Sequence, residues 1–244
     1  MKRVLITGAS SGIGRQLALD YQADGWQVTA CGRDQTRLAE LAAADIETLT
    51  FDSRVLAECQ RAADTAGELD LLILNAGSCE YIDDAQHFDS LLFARVMETN
   101  LVATGHALAA FLPRLRRGGR LALVSSSVTW LALPRAEAYG ASKAALDYLA
   151  ASLRVDLASR DIHVSLVKPG FVATPLTARN DFPMPALLTP EQASYAIRHG
   201  LARGQHTIAF PRRLVWGLRL LGALPTGWWL RLSRFLTRPK DVSA

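Results

Sequence analysis

Tyr139 and Lys143 stand four residues apart in Tyr139-Gly140-Ala141-Ser142-Lys143, a spacing that on a helix puts both side chains on one face, about one turn apart. A phenol, with a reference pKa of about 10, is a poor acid at neutral pH. An ammonium group held beside it favours the phenolate and brings proton transfer within reach of physiological pH. The same spacing occurs on ordinary exposed helix faces, so its meaning depends on what else the chain carries.

A second candidate constellation opens the chain. Thr7-Gly8-Ala9-Ser10-Ser11-Gly12-Ile13-Gly14 follows an apolar stretch and leads into a helical one. Gly8 allows a tight turn, Gly12 lets backbone approach a pyrophosphate, and Gly14 permits close packing of helix on strand. A helix beginning there offers free N–H groups and the positive end of its dipole to phosphates. The glycine spacing is three then one, unlike the usual G-x-G-x-x-G fingerprint.

The elements that must position these residues follow from hydrophobic pattern. Strands are expected over 3–7, 27–31, 48–51, 69–74, 120–125, 163–167 and 207–210, and helices over 13–24, 35–44, 54–66, 89–115, 138–160 and 190–203. Strand and helix in alternation mean right-handed crossovers and a parallel sheet covered on both faces. The expected fold is therefore α/β, a Rossmann-type doubly wound sheet of about seven strands in a single domain. With 244 residues, 50% apolar and 20% charged, the chain is long enough and ordinary enough for that. Its three cysteines are few, odd in number and not at metal-ligand spacing, so a reduced, cytoplasmic compartment is expected and neither disulfide framework nor metal site. The N-terminal Met1-Lys2-Arg3 runs straight into the first strand without the pattern of a secretory leader.

Together these stretches resemble the short-chain dehydrogenase/reductase family. Thr7-Gly8-x-x-x-Gly12-x-Gly14 matches its cofactor turn, Asn75-Ala76-Gly77 its sheet-stabilising motif, and Tyr139-x-x-x-Lys143 its active-site motif. Pro169-Gly170, followed by Val172 and Thr174, matches its nicotinamide-side loop. The resemblance covers residues 1–210 in order. It implies that Ser126, thirteen residues before Tyr139, is the catalytic serine, and that Asn100 is the fourth member of the site. Ser125 and Ser127 then read as a polar strand end wet by solvent. Asparagine is disfavoured inside a helix, so Asn100 is either an exposed surface residue or the mark of a kink that frees a carbonyl. The resemblance further implies carbonyl–alcohol interconversion with Tyr139 as general acid and base. A non-catalytic dinucleotide sensor or scaffold is the alternative, disfavoured because Asn100, Ser126, Tyr139 and Lys143 are all present.

The dinucleotide is chosen where the second strand ends. Gly32 stands where an acid would bind both adenosine-ribose hydroxyls, and Arg33 follows, suited to a 2′-phosphate. NADP(H) is expected, with NAD(H) left open by the nearby Asp34; Asp52 and Asn75 are expected beside the adenosine. Ser10, Ser11 and Ile13 complete the phosphate turn. The proline-rich, mostly apolar loop between Thr174 and Pro190 suggests a lipophilic carbonyl or alcohol as substrate.

The net charge of +4 is concentrated at the end of the chain. Nine basic residues and no acidic one lie between Gln192 and Lys240, so no nucleic-acid footprint covers the domain as a whole. Residues 211–244 form a basic extension holding three of the five tryptophans. Its composition suits a substrate lid, a subunit contact, or a helix at the inner surface of a membrane. The family resemblance also implies a homodimer or homotetramer built on the helices that carry Asn100 and Tyr139.

Overall fold

Runs such as Val4-Leu5-Ile6, apolar on successive residues, form stable strands only where both faces of the sheet are covered. The computed structural model, which describes residues 1–236, shows both covered. Its strands are β1 (Arg3–Thr7), β2 (Gln27–Gly32), β3 (Glu47–Thr50), β4 (Leu69–Leu74), β5 (Leu115–Val124), β6 (His163–Pro169) and β7 (Thr207–Phe210). They form one parallel sheet in the order β3-β2-β1-β4-β5-β6-β7.

Side-chain alternation divides the core. Val4 and Ile6 join Leu17, Ala18 and Tyr21 of α1 (Gly12–Ala23) and Ile197 and Leu201 of α7 (Pro190–Ala202). Leu5, between them, joins the opposite core with Ala63 of α3 (Leu56–Thr65), Phe111 of α5 (Ala103–Phe111) and Ala150 of α6 (Glu137–Leu157). Strand order reverses between β1 and β4, and in such sheets the carboxyl ends at that point open a crevice for ligands.

Most expected elements are present with ends shifted by a few residues. The segment expected as one helix over 89–115 is divided. It consists of α4 (Ser90–Met97), a π-helical turn Glu98–Val102, α5, and a 3-10 turn Leu112–Arg114 holding Pro113. Proline has no N–H to continue the α-helical ladder, so the helix ends there. Leu115 then pairs with Leu69 as the first residue of β5, five residues earlier than expected, ahead of a register shift. Thr189 and Gln192 make a reciprocal capping box that fixes the start of α7.

Beyond β7 the chain forms α8 (Arg212–Gly222) and α9 (Thr226–Leu236), separated by Pro225. No described helix is long and apolar enough to cross a membrane. Arg238 and Lys240, two of the nine basic residues of this stretch, lie outside the described residues.

Candidate functional site

The glycine turn is held against β4 by contacts too close for side chains. A Cβ on Gly8, which has φ +66°, would lie 2.8 Å from Ala76 Cα. One on Gly14 would overlap the Gly8 carbonyl oxygen and sit 2.6 Å from Asn75 Nδ2. Asn75 Nδ2 donates to the carbonyls of Thr7 and Gly8, both at 3.2 Å, and Thr7 Oγ1 accepts from the backbone N–H of Asn75 at 3.0 Å and Ala76 at 3.2 Å. The ends of β1 and β4 are thereby tied together. Ser11, at the start of α1, makes no side-chain cap, so its hydroxyl does not occupy the amides of the first turn.

A cavity of ≈ 420 Å³ lies over this turn. Gly8, Ser10, Ser11, Gly12 and Ile13 line it together with Asn75, Ala76, Gly77 and Thr174, while Arg33 and Asp52 line it beyond the end of β2. Three further arginines, Arg37, Arg54 and Arg179, reach it as well, and sequence reasoning missed them because they lie outside the motifs. Asp52 is engaged by Arg54 (2.5 Å) and Arg33 (3.8 Å). The Arg54 hydrogen bond holds its carboxyl below the usual range. Asp34 accepts from Arg37 N, capping α2 (Gln35–Ala42), and pairs with the Arg37 guanidinium at 3.2 Å. Pro169 pairs with Phe210 across β6 and β7, Gly170 lines a different cavity, and Val172 is buried in the core with a bridge to Leu188.

The second cavity, ≈ 680 Å³, brings Ser126 and Tyr139 together on its wall. Ser126 Oγ, which accepts from the backbone N–H of Val128 at 3.2 Å, and the Tyr139 phenol share that wall. Burial pushes the Tyr139 phenol above its ordinary value, nearby Cys79 adds to this, and the neighbouring Ser126 hydroxyl opposes it. Lys143 Nζ lies 5.8 Å from the centre of the Tyr139 ring and donates to the carbonyl of Val124 at 2.9 Å. Burial lowers the Lys143 ammonium to about 8, while Cys79 and Asp147 favour its charged form.

Asn100 is fully buried in the π-helical turn, which excludes the exposed-surface alternative. Its Oδ1 accepts from Ser78 N at 2.7 Å, and its Nδ2 donates to Ser78 O and Ser142 Oγ, both at 2.9 Å. Its backbone carbonyl accepts from Thr104 Oγ1 at 2.7 Å. The asparagine thus pins the strand-end loop to α6. A Cβ on Gly77 would lie 3.1 Å from Asn100 Oδ1 and 3.2 Å from Lys143 Nζ, so Gly77 leaves room for both beside the first cavity.

Ser125 and Ser127 are not wet by solvent: both are buried. Ser125 Oγ lies 2.6 Å from Asp147 Oδ1 and 3.1 Å from the Lys143 carbonyl. Asp147 Oδ2 accepts from buried Lys168 Nζ at 2.6 Å, and Lys168 Nζ sits 4.0 Å from the centre of the Trp130 ring. This network lies one helical turn beyond Lys143. The i, i+4 spacing of Lys143 and Asp147 is visible in the sequence; Lys168 is brought in only by sheet packing.

The rest of the 680 Å³ cavity is largely apolar. Phe171, Leu176 and Phe182 come from the loop after β6, Leu133 and Pro134 from the loop before α6, and Leu214 and Leu218 from α8. Arg135 ties three of its loops, pairing with Asp83 at 2.7 Å and Asp181 at 2.8 Å and lying over the Tyr81 ring at 5.3 Å. Tyr81 in turn donates to Asn180 Oδ1 at 2.9 Å.

Comparison with known proteins points one way. The family model described as short chain dehydrogenase matches residues 2–182. An uncharacterized oxidoreductase of Myxococcus xanthus is 36% identical over 239 residues, covering 92% of this chain and 93% of that protein. An 11-beta-hydroxysteroid dehydrogenase 1A of Arabidopsis thaliana is 36% identical over 188 residues, covering 72% of this chain and 54% of the plant protein. The chain thus spans about half the length of that plant relative. Among solved structures, a short-chain dehydrogenase from Streptomyces avermitilis superposes with TM-score 0.79 at 26% identity, covering 97% of this chain and 94% of the other. BdcA in complex with NADPH superposes with TM-score 0.74 at 25% identity, covering 85% and 93%.

Proposed function

The chain belongs to the short-chain dehydrogenase family of oxidoreductases, and on that premise we propose that it interconverts a lipophilic carbonyl compound and its secondary alcohol with NADP(H). One observation carries the reading. Ser126 and Tyr139 share the wall of an apolar cavity, while Lys143 and Asn100 lie against Gly77, which lines the neighbouring one.

The residues of the 420 Å³ cavity fit a dinucleotide. The glycine turn suits the pyrophosphate, with Gly8, Ser10, Ser11, Gly12, Ile13 and Gly14 building it, Asp52 and Asn75 lying toward the adenosine, and Ala76, Gly77 and Thr174 lining the rest of the cavity. Pro169, Gly170 and Val172 would support the loop that carries Thr174. Bound there, the dinucleotide supplies or accepts a hydride. Tyr139 gives its phenolic proton to the carbonyl oxygen on which negative charge develops, and takes it back in the oxidation direction. The Ser126 hydroxyl donates a hydrogen bond to the same oxygen. A phenol raised by burial is protonated at neutral pH, which suits a proton donor. Lys143 would hold ribose hydroxyls and favour the phenolate left after transfer, and Asn100 fixes the loop beside it.

Asp147 acts on this site as a positioning residue, since its carboxylate favours the charged form of Lys143. Charged Lys143 is present below its pKa of about 8 and is lost as pH rises through it. Asp147→Asn should therefore move the alkaline limb of the pH–rate profile to lower pH, with little change in the acid limb. An unmoved alkaline limb would count against the link.

NADP(H) is favoured over NAD(H) because, among the described residues, no acid free of an arginine partner lines the cavity at the end of β2. Gly32 is side-chain-free, Asp34 is occupied by the N-terminus of α2 and by Arg37, and Arg33 is 59% exposed at the cavity. A 2′-phosphate would meet Arg33 and the Ser10 hydroxyl. NADPH oxidation with ketones, aldehydes and 3-keto lipids tests the reading directly. Turnover is expected with the apolar ketones, and Arg33→Ala should weaken NADPH binding by about tenfold or more while leaving NADH nearly unchanged. Tighter NADH than NADPH binding by the unaltered chain would reverse the cofactor assignment, and failure with every carbonyl would reverse the reaction.

Assembly and placement in the cell belong to the same reading. The helices carrying Asn100 and Tyr139 expose Leu91, Val102, Tyr148 and Val155, which supports a homodimer or homotetramer built on them. Free cysteines throughout the described chain fit a cytoplasmic protein. Tryptophans and arginines on α8 and α9 support peripheral contact with a membrane.

A further inference from the structure

The C-terminal helices have two different faces. On α8, Val215 is buried, and Leu214 and Leu218 line the 680 Å³ cavity. On its other side Trp216 and Leu220, one turn apart, are 64% and 70% exposed. Helix α9 is anchored through Trp229, whose Nε1 donates to the carbonyl of Ala132 at 2.8 Å. It turns Trp228 and Leu232 outward, with Leu224 and Leu230 also exposed.

Charge selects what this surface meets. Arg212, Arg213 and Arg231 are exposed among these residues, and no acid occurs anywhere from 192 to 240. A second copy seated face to face would bring like charges together with no carboxylate in this stretch to pair them. A bilayer containing anionic lipid satisfies both halves of the composition. Indoles and leucines enter the boundary between headgroups and acyl chains, and guanidinium groups meet lipid phosphates. The width of one helix, about 10 Å, separates that boundary from the cavity wall.

We propose that the outward face of α8 and α9 docks on an anionic lipid surface, with α8 as the shared wall through which the substrate cavity is placed against the lipid, so that Tyr139 receives an apolar carbonyl compound from the bilayer. The docking half stands on exposure and charge alone. The delivery half rests on the oxidoreductase reading.

Co-sedimentation of the full chain with phosphatidylcholine vesicles, with and without phosphatidylglycerol, tests docking without any turnover. Binding is expected to the anionic vesicles, weaker to the neutral ones, and reversed by salt. Arg212→Glu with Arg213→Glu, and separately Trp216→Ser with Leu220→Ser and Trp228→Ser, should each weaken binding by about tenfold or more. These side chains are exposed, so the fold and the reduction of a small water-soluble ketone should be unchanged. Reduction of an apolar ketone carried in anionic vesicles should fall with binding. Docking is overturned if the unaltered chain does not sediment, if the variants bind equally well, or if they change only oligomeric state, which would give the face to a second copy. Vesicle binding without reduction of any ketone would support docking and overturn both delivery and the oxidoreductase reading.

Discussion

Tyr139→Phe should lower turnover by about 10²- to 10⁴-fold, the range by which a positioned general acid accelerates proton transfer, while dinucleotide binding stays within about twofold. The substitution removes one oxygen and keeps the ring, so the packing of α6 against the cavity is preserved. What disappears is the Tyr139 hydroxyl on the apolar wall beside Ser126, the proton donor of the proposed reaction. Steady-state rates together with fluorescence titration of NADPH separate the two quantities. Near-normal turnover by the variant would end the proposed mechanism, and lost NADPH binding would show that the hydroxyl also holds the dinucleotide.

Gly14→Ala should damage the protein in the opposite sense, through binding and stability before chemistry. The added methyl would overlap the Gly8 carbonyl oxygen and crowd Asn75 Nδ2 to 2.6 Å, so α1 must move away from β1. Overpacking of that kind costs about 1–3 kcal/mol. Movement of Gly8 also disturbs the two hydrogen bonds that Asn75 makes to the turn. We expect NADPH affinity to fall about a hundredfold, equivalent to about 2.7 kcal/mol, with a lowered melting temperature. Gly105→Ala is the control. Nothing lies within 4 Å of its would-be Cβ in α5, so alanine there should stabilise by about 0.5–1 kcal/mol. A variant at Gly14 that binds and melts normally would refute this account of the turn.

Much of this architecture is legible in the sequence because its determinants are local. Runs apolar on both faces, such as Leu69–Leu74, give the strands, and the glycine turn and the Tyr139–Lys143 spacing each fit within one turn of chain. Features made by distant segments are not legible in the same way. Ser125 and Ser127 look like solvated strand-end residues until α6 is laid across them. Asp147 becomes a partner of Lys168 only when β6 packs beside β5. The arginines around the first cavity come from the loop after β2, from α2, from the loop after β3 and from the loop after β6, and no periodicity links them. For α8, composition announces an amphipathic helix, but which side faces a cavity depends on the 680 Å³ space that the other loops leave.

The π-helical turn at Glu98–Val102 has a consequence for how the chain can change. A π turn holds one residue more than the α-helical turn it replaces. Each residue rotates a helix by about 100°, so α4 and α5 are out of phase, and each presents its apolar stripe to a different neighbour. Deleting a single residue from this segment would restore a regular helix and turn α5, with Phe111, away from the core it fills. Inserting one would do the reverse. The stretch around Asn100 is thus tolerant of altered side chains at its exposed positions but intolerant of altered length, a reading-frame constraint written into the geometry of the helix.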